Sequence, residues 1–223
     1  MQRRLLEVYG EPAWESSYAP LDELIGTILS QHTSDLNSDR AFRALKSAFP
    51  SWEEVRDAPI DQVIETIRAG GLAVVKARRI HAVLRALTDD DGRVALTDLS
   101  VAFLTSLPGV GRKTAACARL FGAHLPAIPV DTHVHRVALR VGLVPPRASP
   151  EATANTLEAA LDPSAYYAFH VNLIRLGREI CKAPRPRCEV CPLAERCQFR
   201  RSRTRPGRLG SRPRPFRTAV NGV

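Results

Sequence analysis

The sequence lacks the features of a membrane-spanning, secreted or β-sheet protein. Nowhere in its 223 residues does an apolar run approach the ~20 residues that a membrane-spanning helix requires. The first 17 residues carry basic side chains but no apolar stretch typical of a secretory signal. Alternating strand patterns and Asn-Gly or Asp-Gly hairpins between apolar runs are missing too. We therefore expect an intracellular protein of the all-α class.

Lysine is also scarce. Of the 32 basic residues only four are lysines, at positions 46, 76, 113 and 182. Arginine stays protonated, whereas lysine can lose its proton and act as a nucleophile. A lysine kept in so arginine-rich a chain is a candidate for chemistry that arginine cannot do, and retention by chance is the alternative.

The positive charge is concentrated at the C-terminal end. The formal net charge is +9, and residues 198–223 contain eight arginines and no acid, which leaves 24 basic and 23 acidic residues in the preceding 197. Residues 199–223 are predicted to form a basic disordered tail that contacts phosphates without sequence preference. The alternative is a solvated tail without a role.

Helical periodicity dominates the rest of the chain and predicts a series of short amphipathic helices. Pro20 is predicted to open an early helix, and Thr97 or Asp98 to cap a later one. Asp131 is predicted as a further N-cap, and that role alone is a sufficient reason for an aspartate there. The five histidines at 81, 124, 133, 135 and 170 are interpreted as packing or surface residues.

The segment LPGVGRKT at 107–114 resembles a phosphate loop but lacks both glycines that the G-x-x-x-x-G-K-[ST] motif requires. It is predicted to be a helical hairpin, in which Gly109 and Gly111 leave backbone N–H groups open to an anion such as a DNA phosphate. An ordinary hairpin corner is the alternative. Lys113 lies in the first turn of the next helix, where the helix dipole favours the neutral amine of a Schiff-base lysine. The alternative is a phosphate-contacting lysine beside Arg112.

Four cysteines lie within 17 residues in the spacing C-x6-C-x2-C-x5-C, at Cys181, Cys188, Cys191 and Cys197. In an intracellular protein this pattern indicates a metal site rather than disulfides. The spacing favours an iron–sulfur cluster over zinc, and zinc stays open as the alternative. The basic side chains between the first two cysteines form a candidate phosphate-binding loop or a solvated one: Lys182, Arg185 and Arg187.

Three features in this order, LPGVGRKTA, VDTH and the four cysteines, resemble the endonuclease III family of DNA glycosylases in the helix-hairpin-helix superfamily. The resemblance covers roughly residues 1–198. It implies two helical domains: a six-helix barrel with the hairpin at 13–125, and an iron–sulfur domain from 1–12 and 126–198. It also implies a [4Fe-4S] cluster as cofactor, a monomer, and a cytoplasmic bacterial protein associated with the nucleoid.

The resemblance implies a bifunctional enzyme of base excision repair, which excises oxidised pyrimidines such as thymine glycol from double-stranded DNA and acts as a lyase on abasic sites. Lys113 matches the family's nucleophile and Asp131 its catalytic aspartate. Leu72 matches a position that wedges into the duplex, although the sequence alone places it in the core. Related adenine glycosylases lack the lysine. A monofunctional glycosylase and a non-catalytic DNA-binding protein with a structural metal cluster are the alternatives.

One position departs from the family pattern. The family commonly has S-A-Q-[AT]-T-D after the early helix, and this chain has SQHTSD at 30–35. His32 therefore stands where a glutamine commonly fills the gap left by the flipped base. This departure bears on the lesion range and on the preference for the opposite base.

Overall fold

The computed structural model describes residues 1–14 and 18–204. These residues form twelve α-helices: α1 Gln2–Tyr9, α2 Pro20–Ser30, α3 Asp35–Ala48, α4 Trp52–Asp57, α5 Ile60–Thr66, α6 Ala73–Ala86, α7 Val101–Ser106, α8 Arg112–Cys117, α9 Thr132–Val141, α10 Pro150–Ala160, α11 Tyr166–Glu179 and α12 Gln198–Thr204. A π-helical turn, Ala118–Gly122, continues α8. Within the described ranges no strand occurs beyond one isolated bridge between Thr88 and Val94. The all-α class is confirmed.

A first hydrophobic core is built by α2 to α8. Apolar residues recur on α2 at the spacing of one helix face, so Leu24, Ile25, Ile28 and Leu29 are fully buried. Pro20 is the first residue of this helix, as predicted, because a proline there sacrifices no helical hydrogen bond. The C-terminal end of α2 and the hairpin between α7 and α8 thereby become parts of one packed unit.

A second hydrophobic core joins the N-terminal helix to the C-terminal half of the chain. Leu5 of α1 packs with residues of α9, α10 and α11, including Val134, Leu157 and Leu173. The cores meet just after α8, where Ala118 belongs to the first and Leu120 to the second. The domain limits at 12 and 125 stay a prediction, and the change from one core to the other lies a few residues before 125.

Two predicted boundaries were wrong. The N-cap of α7 is Ser100, whose hydroxyl accepts from the N–H of Phe103 at 3.2 Å, because Asp98 instead accepts from the N–H of Ser100. The segment predicted as disordered from residue 199 begins with the helix Gln198–Thr204. The rest of the predicted tail lies outside the described residues.

No helix of the described residues is long and apolar enough to cross a membrane.

Candidate active site

A cavity of about 690 Å³ lies where the two cores meet. Its lining comes from α2 and α8 on the side of the first core and from α9 and α11 on the side of the second. Lys113 and Asp131, which lie 18 residues apart in the chain, both face it. The exposed ion pair between Arg178 and Asp35, at 2.7 Å, joins the two sides at the same cavity.

Lys113 is placed by the hairpin that precedes α8. Gly109 has φ 74, the left-handed region that favours glycine, and a side chain there would meet the stem of Arg79 at 2.8 Å. Gly111 is the N-cap of α8 with extended backbone at φ −93, and no side chain caps this helix. The hairpin therefore requires glycine at 109 for its geometry, whereas glycine at 111 leaves the helix end uncovered.

The amine of Lys113 lies among polar groups of α2 and α8. The thiol of Cys117 is buried one turn further along α8, and burial raises its pKa. Glu23 of α2 also lines the cavity; burial raises its pKa, and the positive charge of Lys113 opposes that rise. A half-buried carboxyl and a lysine therefore share one cavity.

Asp131 is confirmed as the N-cap of α9. Its Oδ1 accepts from the N–H of Val134 at 2.7 Å, which leaves Oδ2 for other partners. The neighbouring His170 is fully buried, and burial lowers its pKa to about 4 although the charge of Asp131 acts in the opposite direction. His170 is therefore uncharged near neutral pH, and the side chain of Asp131 is held in place by the end of the helix.

His32 and Leu72 share an unusual backbone state. Their φ angles are 54 and 49, in a region that costs a side chain of this kind of order 1–2 kcal/mol. Both side chains are exposed, Leu72 to 56%, so the interpretation of Leu72 as a core residue from sequence alone was wrong. Two side chains held outward by strained backbone suit insertion into a neighbouring molecule.

Buried Lys76 ties together the two segments that carry these side chains. Its Nζ donates to the carbonyl oxygens of Leu29, at the end of α2, and of Gly70, before Leu72, both at 2.7 Å. The residue is 1% exposed, and burial lowers its pKa. The positions of His32 and Leu72 relative to one another thus depend on one buried lysine.

The other predicted DNA contacts differ in their surroundings. Arg112 is paired with Glu158 at 3.0 Å and Glu151 at 3.5 Å, which links α8 to α10 across the two cores. Lys182 and Arg185 are exposed on the loop after α11, and Arg187 donates to the carbonyl of Glu179. All four stay predictions as DNA contacts, and Arg112 already has acidic partners.

The four cysteines 181, 188, 191 and 197 line one narrow cavity of about 20 Å³ and none forms a disulfide. Arginines of α9 hold the loop that carries them. Arg136 donates to the carbonyl of Cys181 at 3.0 Å, and Arg140 donates to the carbonyls of Lys182 at 2.7 Å and Ala183 at 2.8 Å. No group of three His, Cys, Asp or Glu in the described chain is arranged to hold a single metal ion.

Several residues of these sites were not identified from the sequence. Glu23 and Thr27 of α2, and His133, His135 and His170 of the second core, line the Lys113 cavity. The spacing of Glu23 and Thr27, one turn apart on an otherwise apolar helix, was the one available signal. For Arg136 and Arg140 nothing local distinguishes them from the other 26 arginines.

Comparison with known proteins agrees with this geometry. Residues 25–163 match the HhH-GPD superfamily of base excision DNA repair proteins. Endonuclease III of Thermotoga maritima is 37% identical over 184 residues, which cover 82% of this chain and 85% of that protein. The chain belongs to the endonuclease III family. It is an endonuclease III-like DNA glycosylase of base excision repair.

Further members of the endonuclease III family match over a similar share of the chain. Endonuclease III of Bacillus subtilis is 31% identical over 188 residues, covering 84% of this chain and 85% of that one. The structure of a trapped endonuclease III–DNA covalent intermediate matches with a TM-score of 0.81 at 29% identity, over 92% of this chain and 95% of that chain. The resemblance drawn from the three sequence features is confirmed.

Proposed function

We propose that this endonuclease III-like protein is a bifunctional enzyme, which excises oxidised pyrimidines such as thymine glycol from double-stranded DNA and then cleaves the strand as a lyase. The observation that carries the proposal is that Lys113 and Asp131 face one cavity between the two cores. The cavity, at about 690 Å³, has room for a nucleotide turned out of the duplex.

The chemistry begins at the sugar of the turned-out nucleotide. Nζ of Lys113 attacks C1′ and the base leaves with the electron pair of the glycosidic bond. Asp131 stabilises positive charge that develops on the sugar and accepts a proton from the attached nitrogen. The lone pair of that nitrogen then displaces O4′ from C1′, O4′ takes the proton from Asp131, and the sugar ring opens. The resulting Schiff base acidifies the C2′ proton, and its removal breaks the bond to the 3′ oxygen by β-elimination.

The hairpin and the two exposed left-handed residues would bind the DNA around this nucleotide. The hairpin at Gly109 and Gly111 would receive a backbone phosphate close to Lys113. Leu72 would enter the stack as an apolar wedge, and His32 would fill the gap that the lesion leaves. Lys182, Arg185 and Arg187 would add phosphate contacts, and so would Arg112 if it exchanges its acidic partners for DNA.

The donor set of the second cavity fits a [4Fe-4S] cluster. Four thiols converge there without a disulfide, and zinc would need sulfur atoms only about 3.8 Å apart, as a tetrahedron with 2.3 Å bonds requires. Four thiolates also suit a [4Fe-4S] cluster, which the resemblance to the family implies. Such a cluster would supply a rigid cross-link for the loop 181–197.

Covalent trapping tests the proposal. Borohydride reduction should fix the wild-type protein to duplexes that contain thymine glycol or an abasic site, and Lys113→Gln should give no adduct. Lys46→Gln is the matched control, because Lys46 lies on α3 beside Asp22 and Trp52 and outside the cavity.

Other results would point elsewhere. An undiminished adduct with Lys113→Gln would refute the nucleophile assignment. Base release by the wild type without any trapping would indicate a monofunctional glycosylase, and absence of both would leave a DNA-binding protein. We also propose that the protein acts as a monomer, which light scattering at the assay concentration would check.

A further inference from the structure

Glu23 occupies a place in the cavity that the proposed chemistry leaves without a role. Glu23 and Thr27, one turn apart on α2, and Gln31, the C-cap residue that follows the helix, all line the cavity. Gln31 adjoins His32, which is proposed to enter the duplex. Eight residues of helix separate Gln31 from Glu23, a rise of about 12 Å. Glu23 therefore lies at the end of this wall remote from the duplex, where the base of a turned-out nucleotide would point.

The carboxyl of Glu23 is held in a defined position. Thr27 donates its hydroxyl to Oε1 at 3.1 Å, so the other oxygen, Oε2, is the one that can carry a proton. The turn after α8 packs on the stem of the same side chain, because a Cβ on Gly122 would lie 3.1 Å from that of Glu23 and 2.7 Å from Cα of Pro20. The side chain is thus fixed by its own helix and by the neighbouring turn.

The surroundings of Glu23 shift its carboxyl toward the protonated form. Burial raises the pKa of this carboxyl, and the hydrogen bond from Thr27 and the charge of Lys113 reduce that rise without reversing it. Glu23 forms no ion pair within the described part of the chain. The other titratable and charged groups that line the same cavity are His32 after α2, Asp35 of α3, Lys113 and Cys117 of α8, Asp131, His133 and His135 at α9, and His170 and Arg178 of α11.

Among these groups, Asp131 and Glu23 are held differently. Asp131 caps a helix, and its Oδ1 accepts the backbone N–H of Val134. The carboxyl of Glu23 is half-buried, and burial raises its pKa although the hydrogen bond from Thr27 acts in the opposite direction. A cavity that holds two carboxyls in different surroundings can provide both an acid and a base. His170, with its pKa near 4, stays uncharged across the neutral range and does not supply the proton.

We propose that Glu23 is a further catalytic residue, the general acid that protonates the departing base. The inference rests on the proposed function. As the C1′–N bond breaks, its electron pair goes to the base, and the proton of Oε2 moves to a ring nitrogen or carbonyl oxygen of that base. Lys113 forms the new bond to C1′, so the sugar-bound nitrogen becomes positive and Glu23 becomes a carboxylate. The carboxylate recovers a proton from water when the base departs.

Comparison of two substrates separates this role from a structural one. Glu23→Gln should release thymine glycol about 100-fold more slowly, the range that general acid catalysis contributes. The same variant should still be trapped on a preformed abasic site at a rate within about threefold of the wild type, because no base remains there to be protonated. An equal loss on both substrates, or no loss on either, would refute the general-acid role.

The pH dependence of the wild type gives a second measurement that needs no variant. The rate at which the base is released in a single turnover should fall as pH rises through the raised pKa of Glu23, because the acid form is required. The rate of trapping on the abasic site should show no such decrease. For the Glu23→Gln experiment above, Asp22→Asn is the matched control variant, since that carboxyl is the neighbour on α2 and binds Trp52 and Lys46 outside the cavity. The same decrease with pH on both substrates would overturn the inference.

The two proposals fail in different ways. A wild-type protein that neither releases the base nor forms an adduct refutes the proposed function. A wild-type protein that does both, with a Glu23→Gln variant that matches it on both substrates, refutes only the role of Glu23.

Discussion

The protein contains two cavities that differ in size and in what surrounds them. The Lys113 cavity, about 690 Å³, lies between the two cores and collects titratable side chains from elements far apart in the sequence. The cysteine cavity, about 20 Å³, lies within the second core and is built from one short segment and the helices beside it. The first has room for a substrate and the second does not. The proposed reaction site is therefore separate from the region that holds the cysteine loop in place.

The polar groups around the two cavities also differ in origin. At the cysteine cavity, arginines of α9 bind backbone carbonyls, so the loop is fixed whatever its side chains are. At the Lys113 cavity the important contacts join side chains, as between Thr27 and Glu23. Substitutions should therefore affect stability at the cysteine cavity and chemistry at the Lys113 cavity, and the following predictions test that division.

The largest effect on stability is expected at the cysteines. The proposed [4Fe-4S] cluster should colour the purified protein brown. Cys191→Ser should abolish that colour and lower the free energy of unfolding by about 4 kcal/mol, or Tm by ~10 °C, because cluster binding to the native state is lost. Visible absorbance and calorimetry measure both. Cys117→Ala, at the other cavity, should keep the colour, and a colourless variant there would contradict the division.

The largest effect on chemistry, apart from that of Lys113, is expected at Asp131. Asp131→Asn can still accept the N–H of Val134, so the helix cap persists while the charge is lost. Strand cleavage in a single turnover should slow by about 100-fold or more with unfolding free energy nearly unchanged. Asp131→Ala should in addition lose ~1 kcal/mol of stability. Full activity of Asp131→Asn would reduce this residue to a cap.

Lys76 should behave as a structural residue although it lies near the DNA-binding segments. Lys76→Met leaves the carbonyls of Leu29 and Gly70 without their donor, so the free energy of unfolding should fall by about 2–4 kcal/mol in urea titrations. Lys46→Met removes a partly exposed ion pair and should cost less than ~1 kcal/mol. If the two substitutions lowered the free energy of unfolding equally, the burial of Lys76 would not explain its contribution to stability.

The smallest effect concerns the stability contributed by Glu23. Because its pKa is raised in the folded state, the native protein binds more protons than the unfolded chain between the ordinary and the raised pKa, and stability falls as pH rises through that window. Glu23→Gln lacks this loss and should be more stable than the wild type at pH 8 but not at pH 4. If the difference in stability between Glu23→Gln and the wild type did not change with pH, Glu23 would not be a carboxyl with a raised pKa.

Much of the fold was predictable because its signals are local. Pro20 and Asp131 act on the backbone within one helical turn, so their roles follow from neighbouring residues alone. The start of α7 was misplaced because two residues competed for the same cap, and the choice of Ser100 over Asp98 depends on how the preceding segment packs. Local rules succeed where one interaction dominates.

Burial was harder to predict than helices. Leu72 is apolar yet exposed, because its backbone turns it outward, and Lys76 is charged yet buried, because two carbonyls from distant segments meet it. Neither outcome is encoded in hydropathy. Both depend on which backbone groups tertiary packing leaves without partners.

The sequence by itself determined the helical class, the hairpin that places Lys113 at the start of a helix, and the spacing that lets four cysteines converge, since all of these arise from interactions between residues close in the chain. Only the tertiary structure decided that Glu23 shares a cavity with Lys113 and Asp131. Desolvation of a carboxyl depends on the helices that close around it, and those helices come from both cores.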